Sequence, residues 1–317
     1  MRTEATEPAV AINVPLESDN LRAQSLAEAK ELVTLALAAD PYNPAGRLEM
    51  ANSPEINEQI LPKGLMCPAC EHEIERFVPL PTMYEETLRA SGSLLRFENA
   101  ETLNIAAYSC PRCGASDRDR LCALFLEEFC RQTGARERGA LIHFAPSGPL
   151  DAFVRKHWSG EIRTADLFMQ GVDDVADIQN LRCYPDGFAD LFICSHVLEH
   201  VHDDRKALHE LHRVLNRSGA GVLLVPILLD CESIDEDLSP IPEVERWRRF
   251  GQNDHVRLYS KTGFLERIAE AGFVVRQLGI DHFGGGRLAR CGITERSVLY
   301  FLEKSNNVLT SYEERGK

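Results

Sequence analysis

The chain has 317 residues, 44% of them hydrophobic and 26% charged, and a formal net charge of −14 from 49 acidic and 35 basic residues. That length holds one large domain with appendages or two domains, and the composition is ordinary for a globular protein. Acidity on this scale disfavours broad contact with a phosphate backbone, which rewards clustered Lys and Arg. No apolar run approaches the roughly 18 residues that span a bilayer, so no membrane partner is expected.

Residues 1–20, "MRTEATEPAVAINVPLESDN", are polar and irregular and read as disordered. They lack the basic start and apolar centre of a secretion signal. A cytoplasmic location is therefore expected, with the ten cysteines reduced. Residues 21–60 read as an accessory helical segment: "LRAQSLAEAKELVTLALAAD" (21–40) places apolar residues at helical spacing, and "DPYNP" stops it. A tetratricopeptide-like pattern occurs there once, whereas stacked repeats need several copies to bury a core.

Residues 62–120 carry two Cys-x-x-Cys knuckles, "CPAC" (67–70) and "CPRC" (110–113), on either side of a helix-like stretch near 83–91. A two-residue spacer lets both thiolates of a knuckle reach one tetrahedral ion, so Cys67, Cys70, Cys110 and Cys113 supply a closed site for structural Zn²⁺. Residues 71–109 must then be looped out as an insertion. A redox dithiol needs only one such pair, at a strand–helix junction.

Residues 121–305 read as one α/β domain, and 306–317 as a tail. "DRLCALFLEEFCRQTG" (119–134) has the pattern of an amphipathic helix ended by glycine. "ALIHFA" (140–145), "EIRTADL" (161–167), "DVADI" (174–178), "ADLFICS" (189–195) and "GAGVLLVPI" (219–227) are predicted strands, with helices near 149–157, 203–216 and 260–271. Such alternation implies a doubly wound, mostly parallel sheet. "FVVRQLGI" (273–280) and "SVLYFLEK" (297–304) then form an antiparallel terminal hairpin. The predicted fold class is thus α/β, with a small zinc ribbon and an accessory helix in front. "CESIDEDLSPIPEVERWRRF" (231–250) reads as a long connection of the kind that covers sites.

Open α/β sheets bind ligands beyond the carboxyl ends of their strands. Ser147 and Gly148, after the first strand, allow close backbone approach. Asp166, ending the second, either accepts from ribose hydroxyls or serves as a cap or turn residue. Asp177 either accepts from an adenine amino group or is a turn aspartate. "CSHVLEH" (194–200) ends the fourth strand in polar residues that face the same crevice.

The stretch "FADLFICSHVLEHVHDDRKALHELHRVLNRSGAGVLLVPI" resembles the core of class I S-adenosylmethionine-dependent methyltransferases, which have a Rossmann-like fold. More narrowly, residues 65–304 are similar to a bacterial subgroup with an amino-terminal cysteine-knuckle ribbon, an Arg-rich helix start after "CG", and a late "FGQNDHVRLY" element (250–259). The resemblance implies S-adenosylmethionine as cofactor. By position, Ala145, Ser147 and Gly148 face its methionine part, Asp166 its ribose, Asp177 and Ile178 its adenine, and Ser195 and His196 its far side. Two departures stand out. The Gly-x-Gly of the family is absent after the first strand, and Asp117-Arg118-Asp119-Arg120 replaces Glu-Arg-His-Arg.

Methyl transfer to oxygen or nitrogen gains from alignment and, for an alcohol, from a base. His255 is the first expected base and His200 the second, since imidazole suits proton transfer near neutral pH. Asp254 is expected to orient His255, Arg257 to pair with an anionic acceptor, and Arg118 to contact the acceptor. The expected partner is a small-molecule acceptor such as a sugar. The alternatives are an RNA methyltransferase gripping nucleic acid through Arg112, Arg118 and Arg120, and a non-catalytic cofactor-binding module. Nothing in the sequence sets the oligomeric state.

Overall fold

The computed structural model describes residues 64–133 and 139–304. The readings for 1–20, 21–60 and 306–317 lie outside the described residues.

Seven strands form the central sheet, in the order β10 (Phe273–Leu278), β11 (Leu299–Lys304), β7 (Leu215–Leu224), β6 (Ala189–Ser195), β3 (Ala140–Phe144), β4 (Ile162–Asp166) and β5 (Asp174–Val175). The β3–β4, β3–β6, β4–β5 and β6–β7 pairs are parallel; β11 runs antiparallel to both β7 and β10. The expected mostly parallel sheet with an antiparallel terminal hairpin is present. Every residue of β3 is buried, as its continuous apolar run requires of a strand covered on both faces.

Direction reverses at β3. The chain steps one way through helix α3 (Gly148–His157) to β4, and the other way from β6 through α4 (Asp204–Val214) to β7. Right-handed crossovers in opposite directions place α3 and α4 on opposite faces. Helix α2 (Asp117–Thr133) packs on α3, and α6 (Lys261–Glu270) on α4. The crevice between the ends of β3 and β6 is the switch point at which such sheets bind ligands.

Close packing between β6 and β7 depends on one glycine. Gly221 lies opposite Phe192, and a Cβ there would fall 2.1 Å from Phe192 Cζ. Gly221→Ala is therefore expected to lower stability by about 1–3 kcal/mol through overpacking. Urea unfolding checks this, and an unchanged midpoint would show that the ring can move aside.

Three predicted boundaries are corrected. Strand β7 starts at Leu215 rather than 219, and β5 is only Asp174–Val175. The connection at 231–250 is not an irregular cover: it contains β8 (Asp235–Glu236), paired with β9 (Arg257–Leu258), and α5 (Glu243–Phe250). The acids at 235–237 are neutralised, Asp235 and Asp237 by Arg249, and Glu236 by Arg257 and Arg267. Among the described residues no helix is long and apolar enough to cross a membrane.

Candidate functional site

The cysteine knuckles close into one cluster. Strands β1 (Leu65–Cys67) and β2 (His72–Ile74) form a hairpin around the first knuckle. Cys67 Sγ lies 3.7 Å from Cys113 Sγ and Cys70 Sγ 3.9 Å from Cys110 Sγ, and all four sulfurs lie within 4.8 Å of one another. Zinc–sulfur bonds of about 2.3 Å put tetrahedral thiolates about 3.8 Å apart, so the cluster fits a metal ion.

Residues 117–120, at the start of α2, each do a different job. Asp117 accepts from the Asn104 amide, and burial pushes its carboxyl up to about 6. Arg118 faces the cavity described below, its Nη1 3.5 Å from His196 Nδ1. Asp119 accepts from Ser116 and, at 2.8 Å, from the Ser147 hydroxyl, tying α2 to the loop after β3. Arg120 is fully buried and donates to five carbonyls, those of Ala107, Tyr108, Ala115, Cys291 and Gly292. Its guanidinium also lies 4.0 Å over the Phe77 ring. Arg120 therefore anchors the knuckles to the domain.

Register places most of the expected cofactor residues along one sheet edge. Ala145 follows β3 and donates to Ala165 O; Asp166 ends β4 and its carbonyl accepts from Ala176; Ser195 ends β6, and His196 donates to Leu224 O. Ala145 (φ 45°) and His196 (φ 57°) both hold left-handed backbones at the ends of neighbouring strands, strain of a kind that clusters at functional sites. The buried Ser195 Oγ has no hydrogen-bond partner. Ser147 caps α3, and a side chain at Gly148 would meet only open space. Asp166 uses Oδ1 to accept from the Phe168 and Met169 amides at 2.7 and 2.6 Å, leaving Oδ2 at the edge. Asp177 is engaged through both oxygens by Gln179, beside buried Ile178. An orphaned buried hydroxyl, a strained strand end and a carboxylate oxygen at one edge fit an adenosine-bearing cofactor.

Next to His196 lies a cavity of about 260 Å³ at the ends of β6 and β7. The looped-out segment between the knuckles supplies its roof, with helix α1 (Thr82–Ala90) and the apolar side chains of Leu80, Tyr84, Leu95, Phe97, Leu103 and Tyr108. The roof is pinned by backbone bonds from Glu101 to Ile227 and from Leu229 to Asn99. Sequence reasoning missed these roof residues, because no periodic pattern marks an insertion that packs on a distant loop.

The polar floor is Arg118, His196, Glu199, His200 and His255. Glu199 is fully buried; its Oε1 lies 3.2 Å from His196 Nδ1 and 3.9 Å from His200 Nε2. Burial opposes its charge, but His196, His255 and His200 hold it down at about 2. Burial and the Arg118 charge push His196 down to about 4. His255, 6% exposed, is pushed below the usual histidine range by burial, and its Nδ1 lies 3.2 Å from Phe250 O.

Two expected contacts are corrected. Asp254 orients His200, not His255: its Oδ2 lies 3.2 Å from His200 Nδ1. Arg257 does not reach the cavity; it is fully buried, pairs with Glu236 at 2.6 Å, and donates to the carbonyls of Leu198, Val201 and His202. It clamps the turn that carries Glu199 and His200 to the segment that carries His255. The chain is too tightly satisfied there for an acceptor anion to compete.

The Asp254–His200 pair makes a pH prediction. Burial lowers His200, but the Asp254 hydrogen bond and the Glu199 charge outweigh it and hold the ring above the usual histidine range. The same hydrogen bond takes Asp254 down to about 2. The histidine's share of stability is complete below its unfolded pKa of about 6.5 and is lost as pH rises through the folded value. The aspartate's share is present above about 3.9 and is lost as pH falls toward its folded value. Asp254→Asn should bring the His200 titration down, read from imidazole NMR shifts; an unmoved titration would break the pairing.

Residues 158–223 match a family described as "Methyltransferase domain". No curated protein matches the chain. Among solved structures, the chain is similar to the YcgJ protein from Bacillus subtilis, at 17% identity and a TM-score of 0.34, over 48% of this chain and 69% of that one. It is also similar to an S-adenosylmethionine-dependent methyltransferase from Aquifex aeolicus (13% identity, TM-score 0.34, 56% and 87% covered). A third is the [4+2]-cyclase SpnF (14% identity, TM-score 0.38, 72% and 97% covered).

Proposed function

We propose that the chain is an S-adenosylmethionine-dependent methyltransferase acting on an oxygen or nitrogen atom of a small-molecule acceptor. One observation carries the reading. The stretch matching a methyltransferase domain contains Asp166, Ser195, Glu199 and His200, and it brings a ligand-ready sheet edge against an aromatic-walled cavity. In this reading Ala145, Ser147, Gly148, Asp166, Asp177, Ile178, Ser195 and His196 hold the cofactor, which supplies an activated methyl group. The cavity takes the acceptor. Its walls exclude water, and the buried floor keeps the two reactants aligned.

His255 and His200 reach the cavity beside Glu199. Because burial keeps His255 neutral at neutral pH, it is suited to take a proton from an acceptor hydroxyl. The Cys67–Cys70–Cys110–Cys113 cluster is assigned to structural zinc, since a closed thiolate shell leaves no position for chemistry. RNA methylation is the weaker reading: Arg120, one of its three arginines, is buried on protein carbonyls, and the cavity's polar floor offers a single arginine.

The test is calorimetry with S-adenosylmethionine, followed by incubation with metabolite extract and a search for products heavier by one methyl group. Absence of cofactor binding would end this reading. Methylation of RNA but of no small molecule would reverse the choice of acceptor.

A further inference from the structure

The cavity floor holds a second constellation of donors. Glu199, His200 and His255 each offer one ligand atom, and these atoms lie within 4.8 Å of one another. We propose that Glu199, His200 and His255 form a site for a divalent first-row transition-metal ion whose open coordination positions face the acceptor cavity.

Four observations support it. Both Glu199 oxygens are buried without a hydrogen bond of good geometry, the nearest donor being His196 Nδ1 at 3.2 Å from Oε1; a carboxylate so placed calls for a cation. Both imidazoles have the δ nitrogen occupied from behind, His200 by the Asp254 carboxylate and His255 by the Phe250 carbonyl, each at 3.2 Å. That leaves Nε2 for the ion, in the arrangement by which outer-shell partners fix metal-ligating histidines. The ligand-bearing turn is rigid, since the buried Arg257 binds the carbonyls on either side of Glu199 and His200. Finally, Arg246 donates to the His255 carbonyl at 2.8 Å, which fixes the third ligand's backbone.

Two imidazoles and one carboxylate suit zinc, iron, cobalt or manganese as divalent ions. Three protein ligands with open positions are the pattern of a catalytic rather than a structural site. Ligand bonds of about 2.1 Å bring donor atoms about 3.4 Å apart, so the 3.9 Å between Glu199 Oε1 and His200 Nε2 must close slightly. A small rotation of the partly exposed His200 side chain closes that distance without moving the clamped backbone. Resting on the methyltransferase reading, the natural further ligand is an oxygen donor of the acceptor, a hydroxyl or carboxylate. With the ion bound, both Nε2 atoms would be ligands, and the proton transfer assigned to His255 would belong to the metal-free protein.

Cobalt(II) titration of the full-length protein, with zinc retained at the cysteine cluster and checked by mass spectrometry, tests the site. One Co²⁺ per chain beyond the zinc is expected. Glu199→Gln and His200→Ala should each weaken it by more than 100-fold. Asp254→Asn, which alters only an outer-shell partner, should weaken it about 10–100-fold. Thermal unfolding of each variant checks folding, and the partly exposed His200 supplies the variant that keeps the core intact. No cobalt beyond the cysteine cluster, or equal binding by wild type and folded variants, overturns the site. Calorimetry with S-adenosylmethionine on the same samples separates the two readings. Cobalt bound without cofactor binding ends the methyltransferase reading alone, and the reverse ends the metal site alone.

Discussion

Cys67→Ala is expected to abolish metal binding at the four-cysteine cluster and to cost more than about 4 kcal/mol, at the upper end of what single substitutions do. Cys67 is fully buried between the hairpin and the second knuckle. Binding energy at a structural zinc is folding energy, because the preformed site does not exist in the unfolded chain. A domain stable by about 5–15 kcal/mol loses a large part of that margin. The damage should reach the cavity as well, since its roof hangs between the two knuckles. Residual protein should therefore lose acceptor turnover before it loses cofactor binding. Metal analysis with urea unfolding checks the first part; a zinc-free variant of wild-type stability would show that the sulfurs hold nothing.

Asp166→Ala should weaken S-adenosylmethionine binding by about 100-fold or more. Two charge-assisted hydrogen bonds at about 1.5–3 kcal/mol each are at stake, and each 1.4 kcal/mol is about tenfold. Asp166 Oδ1 also caps the Phe168 and Met169 amides, so the alanine variant loosens the turn as well. Asp166→Asn separates the two effects. It keeps an acceptor for the amides and puts a donor where the free oxygen was, so affinity should fall while the thermal midpoint holds. Calorimetry reads the affinity, and unchanged binding in both variants would move the ribose elsewhere.

Much of the fold was legible because buried parallel strands are short apolar runs. "ALIHF" and "ADLFICS" have no other comfortable place, and the helical stretches near 149–157 and 203–216 set the alternation. The knuckles were legible for a related reason: two thiols at fixed spacing carry their geometry in the sequence. Arg257 was misread because an arginine beside a histidine in a loop looks available. Its burial depends on carbonyls at 198, 201 and 202, which no local pattern announces. Asp254 went to the wrong ring for the same reason, since its nearest neighbour in sequence is not its nearest in space. Glu199 was placed in the crevice, but its burial among three histidines can only be seen once the fold is complete.

The cysteine cluster has one more consequence. It fastens both ends of residues 71–109 to one point, and further bonds hold Asn99, Glu101, Asn104, Ala107 and Tyr108 to the domain, so the stretch between, residues 82–96, can change without unfastening either end. Under the proposed function, exchanging residues 82–96 should retune which compounds are accepted while S-adenosylmethionine affinity holds. On the proposed function, choice of target would then rest on an insertion hung from a clasp, and supply of the reactive group on the sheet.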